Sequence, residues 1–191
     1  MEAKTRIASQ APRLTREEFR AWAERQPRGR HERVDGRAVA MSPERIGHAL
    51  VKGRVWRALD RALLDAGAAC VAIPDGATVE IDDRTEYEPE VVVTCGETLD
   101  LEAVAAPRPV VVVEVTSPST RAVDAGDKLA DYFRVPSVQH YLIVSARRRQ
   151  AVHHARRDDG IETRVVTAGS IVLDPPGISV ALDDFYAGLD L

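Results

Sequence analysis

The chain has 191 residues, of which 45% are hydrophobic and 29% charged, with a net charge of −4 and two cysteines. That balance excludes disorder as the main state, the two cysteines exclude a disulfide scaffold, and the mild acidity argues against a protein that coats nucleic acid. No apolar run nears the ~20 residues of a membrane span, the N-terminal stretch lacks a signal-like apolar segment, and scarce cysteine makes a reducing cytoplasm the expected compartment.

Residues 1–13 read as a loose tail, and residues 14–191 as one domain. Thr15 with Glu18 three positions on is a capping-box signature, opening a helix whose Leu14, Phe19 and Trp22 share a face. Asp35-Gly36 between His31–Val34 and Arg37–Met41 is a two-residue hairpin signal. Ser42-Pro43-Glu44 predicts the start of a long helix ending near Gly67. Its apolar stripe is read as Ile46, Leu50, Val55, Leu59 and Leu63, broadened by Trp56 and Leu64. Strand pieces follow at Cys70–Ile73 and Ala77–Ile81, then two valine-rich runs, Glu90–Thr94 and Val110–Thr116. Such β-branched runs suit strands covered on both faces. A helix over 124–134, a buried strand at His140–Val144, a hairpin around Asp158-Asp159-Gly160 and short closing strands complete a mixed α/β pattern.

Charge is segregated along the chain. Eight acids and one arginine lie between Asp82 and Glu102, and five arginines with no acid lie between Ser145 and Arg157. Arg147, Arg148 and Arg149 in the latter run are candidate contacts to a phosphate backbone; a solvated face is the plainer reading. Only three of the 26 basic residues are lysine: Lys4, Lys52 and Lys128. His153-His154 falls in a predicted strand, where neighbouring side chains point to opposite faces and cannot easily chelate one ion.

Glu114 interrupts the most apolar run of the chain. A carboxylate there needs a salt bridge, a proton or a metal ion, because burying it alone costs several kcal/mol. A strand-end carboxylate held by arginine or by backbone amides is the structural alternative. If the valine-rich strands pair, Glu90 converges with Glu114 at one sheet edge. Two carboxylates with carbonyls and waters suit Mg²⁺ or Mn²⁺. Lys128, on the following helix, can orient a water or offset charge developing at phosphorus, or can be a plain exposed helix residue.

Glu90 after proline, Val-Glu-Val-Thr-Ser-Pro-Ser-Thr, Asp127-Lys128-Leu129 with Tyr132, His31–Gly36, Met41-Ser42-Pro43 and His48 occur in an order that resembles the Uma-type restriction endonucleases, a branch of the PD-(D/E)XK nuclease superfamily. The resemblance runs from about Leu14 to Leu191. It implies a restriction-endonuclease-like mixed β-sheet core flanked by helices, with added β-hairpins, and a metal-dependent endonuclease acting on DNA, with a homodimer compatible. It places the two metal carboxylates on Glu90 and Glu114, the lysine on Lys128, and supporting residues on Glu32, His48 and Tyr132. The superfamily's lysine normally lies two residues after the second acid, where this chain has Thr116. The chain also has Glu90 where the family usually has aspartate, which keeps a catalytically inactive nucleic-acid-binding or oligomeric protein as the alternative. A third reading, binding of a small phosphorylated ligand, rests on the Ser117–Thr120 loop before a helix.

Overall fold

The computed structural model describes residues 13–27, 29–41, 43–96, 98–116 and 122–191, with the backbone alone for 122–125. The expected tail up to residue 12, the Ser42 helix start and the Ser117–Thr120 loop lie outside the described residues. In chain order the elements are α1 (Arg16–Ala23), β1 (His31–Val34), β2 (Arg37–Ala40), α2 (Ile46–Asp65), β3 (Cys70–Pro74), β4 (Val79–Glu80), β5 (Glu86–Tyr87) and β6 (Val91–Cys95). There follow β7 (Pro109–Thr116), α3 (Ala122–Tyr132), β8 (His140–Ser145), β9 (Ala151–Arg157), β10 (Gly160–Val166), β11 (Ser170–Leu173), β12 (Ile178–Ala181) and a 3-10 turn, Leu182–Tyr186. The chain forms two compact units, Met1–Pro43 with Glu80–Tyr87, and Glu44–Val79 with Glu88–Leu191.

In the smaller unit, the Thr15 hydroxyl accepts from the Glu18 N–H and the Glu18 carboxylate from the Thr15 N–H, so two orphan donors of α1 are satisfied reciprocally. β1 and β2 pair antiparallel around Asp35 (φ 48°) and Gly36 (φ 77°), the positive φ values that a two-residue hairpin turn requires. The short strand β5, which no periodicity announced, joins β1 through Arg33 opposite Glu86. Arg33 is fully buried; its guanidinium lies 3.3 Å from Glu86 Oε2 and donates to the Asp83 carbonyl at 2.8 Å. Arg16 and Arg20 approach the same Glu86 oxygen at 3.3 and 3.8 Å. One buried carboxylate thus compensates the desolvation of a buried arginine.

In the larger unit a six-stranded sheet runs β10-β9-β8-β7-β6-β3. Only β7 and β8 are parallel, and α3 lies in the connection that parallel strands require. Val111, Val113 and Val115 join Val91, Val93, Leu142 and Val144 in one core with Val51, Val55, Leu59 and Leu63 of α2. Alternation along the strands turns Val112, Glu114 and Tyr141 the other way, where Tyr141 meets Tyr132 of α3 with ring centroids 5.0 Å apart. Helix α2 starts at Ile46, later than the sequence predicted, and its Arg45 cap makes no side-chain hydrogen bond. Its buried stripe is Val51–Leu63 at four-residue spacing, whereas Ile46, Leu50 and Leu64 are exposed. Burial there follows the sheet that the helix meets, so an apolar residue on the wrong face stays in water. Cys70 and Cys95, opposite each other in the β3–β6 register, are joined by a disulfide. The expectation of a reducing compartment rested on scarce cysteine; the two cysteines present are bonded to each other.

His153 and His154 point to opposite faces. His153 Nε2 lies 2.9 Å from His140 Nδ1, and His154 Nδ1 lies 2.8 Å from the Thr163 hydroxyl. Burial pushes all three imidazoles below their ordinary range, His153 to about 4, helped there by the charges of His140 and Arg157.

Two predictions follow from these buried groups. Glu86→Ala leaves the Arg33 guanidinium buried without its counter-charge and should cost roughly 3–5 kcal/mol in equilibrium urea unfolding. A histidine whose folded pKa lies below its unfolded value of about 6.5 favours the folded state above that pH. Thermal stability should therefore decline as pH falls from about 6.5 toward about 4, and the decline should be shallower in His153→Gln.

Candidate active site

Glu114 sits near the end of β7, where the strand leaves its valine run, and it is neither free nor paired with arginine. Its Oε1 accepts from Lys128 Nζ at 2.9 Å and from the Tyr132 hydroxyl at 2.8 Å. Lys128 and Tyr132 are one helical turn apart on α3, so one face of that helix presents both donors to one oxygen. The Tyr132 side chain is fully buried, which fixes its hydroxyl.

Glu90 lies immediately before β6. Its N–H donates to the Val113 carbonyl at 3.0 Å and its carbonyl accepts from the Asp75 N–H at 2.9 Å, so its backbone is held between β7 and the end of β3. The carboxylate is buried. Burial pushes its pKa up; the positive charges of Lys52 and His48 oppose that push and the charge of Glu114 adds to it. Glu90 Oε2 is buried without a well-formed hydrogen bond, although Lys52 Nζ is 3.2 Å away. The distance is short enough for an ion pair, and the poor alignment leaves Coulomb attraction as the main interaction.

His48, in the first turn of α2, spans the gap between these strands. Its Nε2 lies 2.6 Å from the Val115 carbonyl and 3.6 Å from Glu90 Oε1, and its Nδ1 lies 2.6 Å from Glu44 Oε1. A carbonyl can only accept, so Nε2 carries the proton. Lys52, one turn further along, contacts Glu44 at 2.7 Å and Asp75 at 2.9 Å besides Glu90. Burial pulls the Lys52 pKa down, but hydrogen bonds to Glu44 and Asp75 and the charge of Glu90 outweigh it and hold it raised. For Glu44 the same balance runs the other way: burial raises it, and Lys52 and His48 hold it below its ordinary value.

Ligand atoms of Glu44, His48 and Glu90 lie within 4.8 Å of one another. The carboxylates of Glu44 and Glu90 are oxygen donors of the kind a hard divalent cation takes, whereas the His48 Nε2 is spent as a donor to the Val115 carbonyl.

A family model described as "Uma2: Putative restriction endonuclease" matches residues 16–184. This chain belongs to the Uma2 family. It is 33% identical over 181 residues to the uncharacterized protein slr1290 of Synechocystis, an alignment covering 93% of this chain and 94% of the relative. It is also similar in fold to a crystal structure titled as a putative nuclease belonging to DUF820 from Anabaena variabilis. That similarity has a TM-score of 0.71 at 12% identity and covers 91% of this chain and 98% of the other. The restriction-endonuclease-like mixed α/β fold expected from the sequence is the observed one.

Within this Uma2 chain the structure brings together Glu90, Glu114, Lys128, Tyr132 and His48 in one unit. Glu32 is buried on β1 of the smaller unit. Arg147, Arg148 and Arg149 form the exposed turn between β8 and β9, and Arg149 is engaged with Asp183 and the Leu189 carbonyl. Glu44, Lys52 and Asp75 were not singled out as site residues from the sequence. The signal for two of them was present: Glu44, His48 and Lys52 recur every four residues, a polar stripe on one helical face. Asp75, in a Pro-Asp-Gly turn, carried none. Among the described residues no helix is long and apolar enough to cross a membrane.

Tyr132→Phe removes one of two donors to Glu114 without altering ring packing. It should destabilise the fold by about 1.5–3 kcal/mol, the scale for a hydrogen bond to a charged group, as measured by chemical denaturation.

Proposed function

We propose that this protein is a metal-dependent endonuclease that hydrolyses phosphodiester bonds of DNA in the cytoplasm. The observation that carries the reading is the 2.9 Å contact of Lys128 with Glu114 near the end of a strand whose neighbour is immediately preceded by Glu90. Lysine, two acids and a strand-end carbonyl are the parts that phosphodiester hydrolysis needs, and they come from three separate stretches of chain.

In this reading Glu90 and Glu114 hold Mg²⁺ or Mn²⁺ with the Val115 carbonyl, and Glu44 is a further oxygen donor. Such an ion, when bound, lowers the pKa of an attacking water and polarises a phosphoryl oxygen. Lys128 keeps its ammonium over the reacting phosphate, where it orients the water and offsets developing negative charge. Tyr132 fixes the rotamer of Glu114, and His48 holds the Val115 carbonyl and the Glu90 carboxylate in register. The exposed Arg147 and Arg148 are positioned for a phosphate backbone, and Arg149, already committed to Asp183, contributes least.

One observation favours the second reading, a non-catalytic nucleic-acid-binding protein. Lys52 stands 3.2 Å from Glu90 and is ringed by Glu44 and Asp75, so a fixed ammonium already neutralises the carboxylate that a cation would need.

Supercoiled plasmid and labelled single strands incubated with Mg²⁺ or Mn²⁺ distinguish the two. The nuclease reading expects cleavage that chelation abolishes, no cleavage by Glu114→Gln, and a loss of more than ~100-fold in turnover for Lys128→Arg, the scale of a positioned proton-handling group. DNA binding should survive in both variants. Cleavage equal in wild type and Glu114→Gln would assign the activity to a contaminant, and DNA binding without any cleavage would establish the second reading.

A further inference from the structure

The edge of the large sheet opposite β3 is β10, and its Gly160–Val165 stretch is wholly exposed. Natural edge strands are commonly blunted by proline, a bulge or charged side chains, and of these β10 carries only charges, Glu162 and Arg164, which are of opposite sign. β10 has the sequence GIETRVV, with no proline, and pairs with β9 without a register break from Gly160 opposite Arg157 to Val166 opposite Ala151. Two of its three large apolar residues, Ile161 and Val165, are 44% and 60% exposed.

The main-chain groups that β10 offers can be identified. The Arg156 N–H donates to the Gln139 carbonyl, so Arg156 faces β8 and its neighbours Ala155 and Arg157 face β10. By alternation Gly160, Glu162, Arg164 and Val166 spend their N–H and C=O groups on β9. Ile161, Thr163 and Val165 direct theirs outward.

We infer that β10 is a dimerisation edge that pairs antiparallel with β10 of a second copy of this chain, with the two-fold axis at Thr163. In that register Thr163 faces Thr163 of the second copy, and Ile161 faces Val165 at both ends. These are the three outward-facing residues, so each of the three pairs exchanges two main-chain hydrogen bonds. On the opposite face of the ribbon Glu162 lies across from Arg164 of the second copy, twice. Arg164 has no carboxylate partner among the described residues, whereas Glu162 holds Arg157 at 2.7 Å. The pairing supplies each exposed Arg164 with an acid and leaves the Arg157 contact in place.

Charge also selects this register over its neighbours. Moving the axis to Glu162 or to Arg164 preserves the hydrogen-bonding parity but sets like charges directly opposite, which destabilises a cross-strand pair. A two-fold axis makes the same patch serve both partners, so one strand suffices. The inference stands on the strand edge alone and does not rest on the nuclease reading.

Analytical ultracentrifugation of the full chain at high micromolar concentration should give twice the 20.9 kDa mass of one chain. Arg164→Glu, and separately Glu162→Arg, should each weaken dimerisation by at least about ten-fold, because each places like charges opposite in both pairs. Mixing the two variants should restore a one-to-one heterodimer, since each bad pair becomes an opposite-charge pair. Thr163→Cys should cross-link to itself under mild oxidation, and no native thiol competes because Cys70 and Cys95 are already bonded. Far-UV circular dichroism confirms that each variant is folded. A wild type that stays monomeric, a dimer indifferent to both charge reversals, or a dimer whose Thr163→Cys form fails to cross-link would overturn the assignment.

Discussion

A carboxylate at the end of a valine strand is the constraint around which the larger unit is organised. Glu114 belongs to a run buried on both faces, and an ionised group there must be matched by positive charge and hydrogen-bond donors or it will protonate. The match comes from one helix: Lys128 and Tyr132 of α3 converge on a single oxygen. That helix lies in the connection between the parallel strands β7 and β8, so one crossover brings both donors to the end of β7.

The second acid is managed differently. Glu90 is enclosed by the first two turns of α2 and by the turn after β3, and it shares Lys52 with Glu44 and Asp75. Three acids around one ammonium, with a histidine between the strands, form a network whose members are each compensated only collectively. Lys52 supplies the counter-charge that these carboxylates share. The Glu90 side chain reaches toward α2 to join this network. The histidine stands at the meeting point of the two strand ends and touches both.

The smaller unit shows the same logic of charge matching. Arg33 is among the most deeply buried side chains, and Arg16 and Arg20 turn toward the same Glu86. Arginine tolerates such a position because its planar donors can serve a carboxylate and a carbonyl together. A run of arginines interleaved with acids is thus a poor guide to surface when a buried acid lies 53 residues from Arg33 in the chain.

The elements whose signals are local were legible in the amino-acid sequence. The Thr15–Glu18 capping box, the Asp35-Gly36 hairpin, the two-residue turn at Asp158-Asp159 and the doubly covered valine strands each depend on a few adjacent residues and the backbone conformations open to them. Glu114 was legible as an anomaly for the same reason, since its neighbours alone make a charge there costly. What paired with it was not determined locally. Lys128 looks like an ordinary helix residue until α3 is laid across β7, and β5, the buried Arg33–Glu86 pair, the Cys70–Cys95 bond and the place of Asp75 have no counterpart in any short window. The start of α2 and the exposure of Ile46, Leu50 and Leu64 were likewise decided by where the sheet lies. Periodicity states that a helix has an apolar face, but only the packed partner states which residues of that face leave water, because burial free energy belongs to the contact and not to the residue.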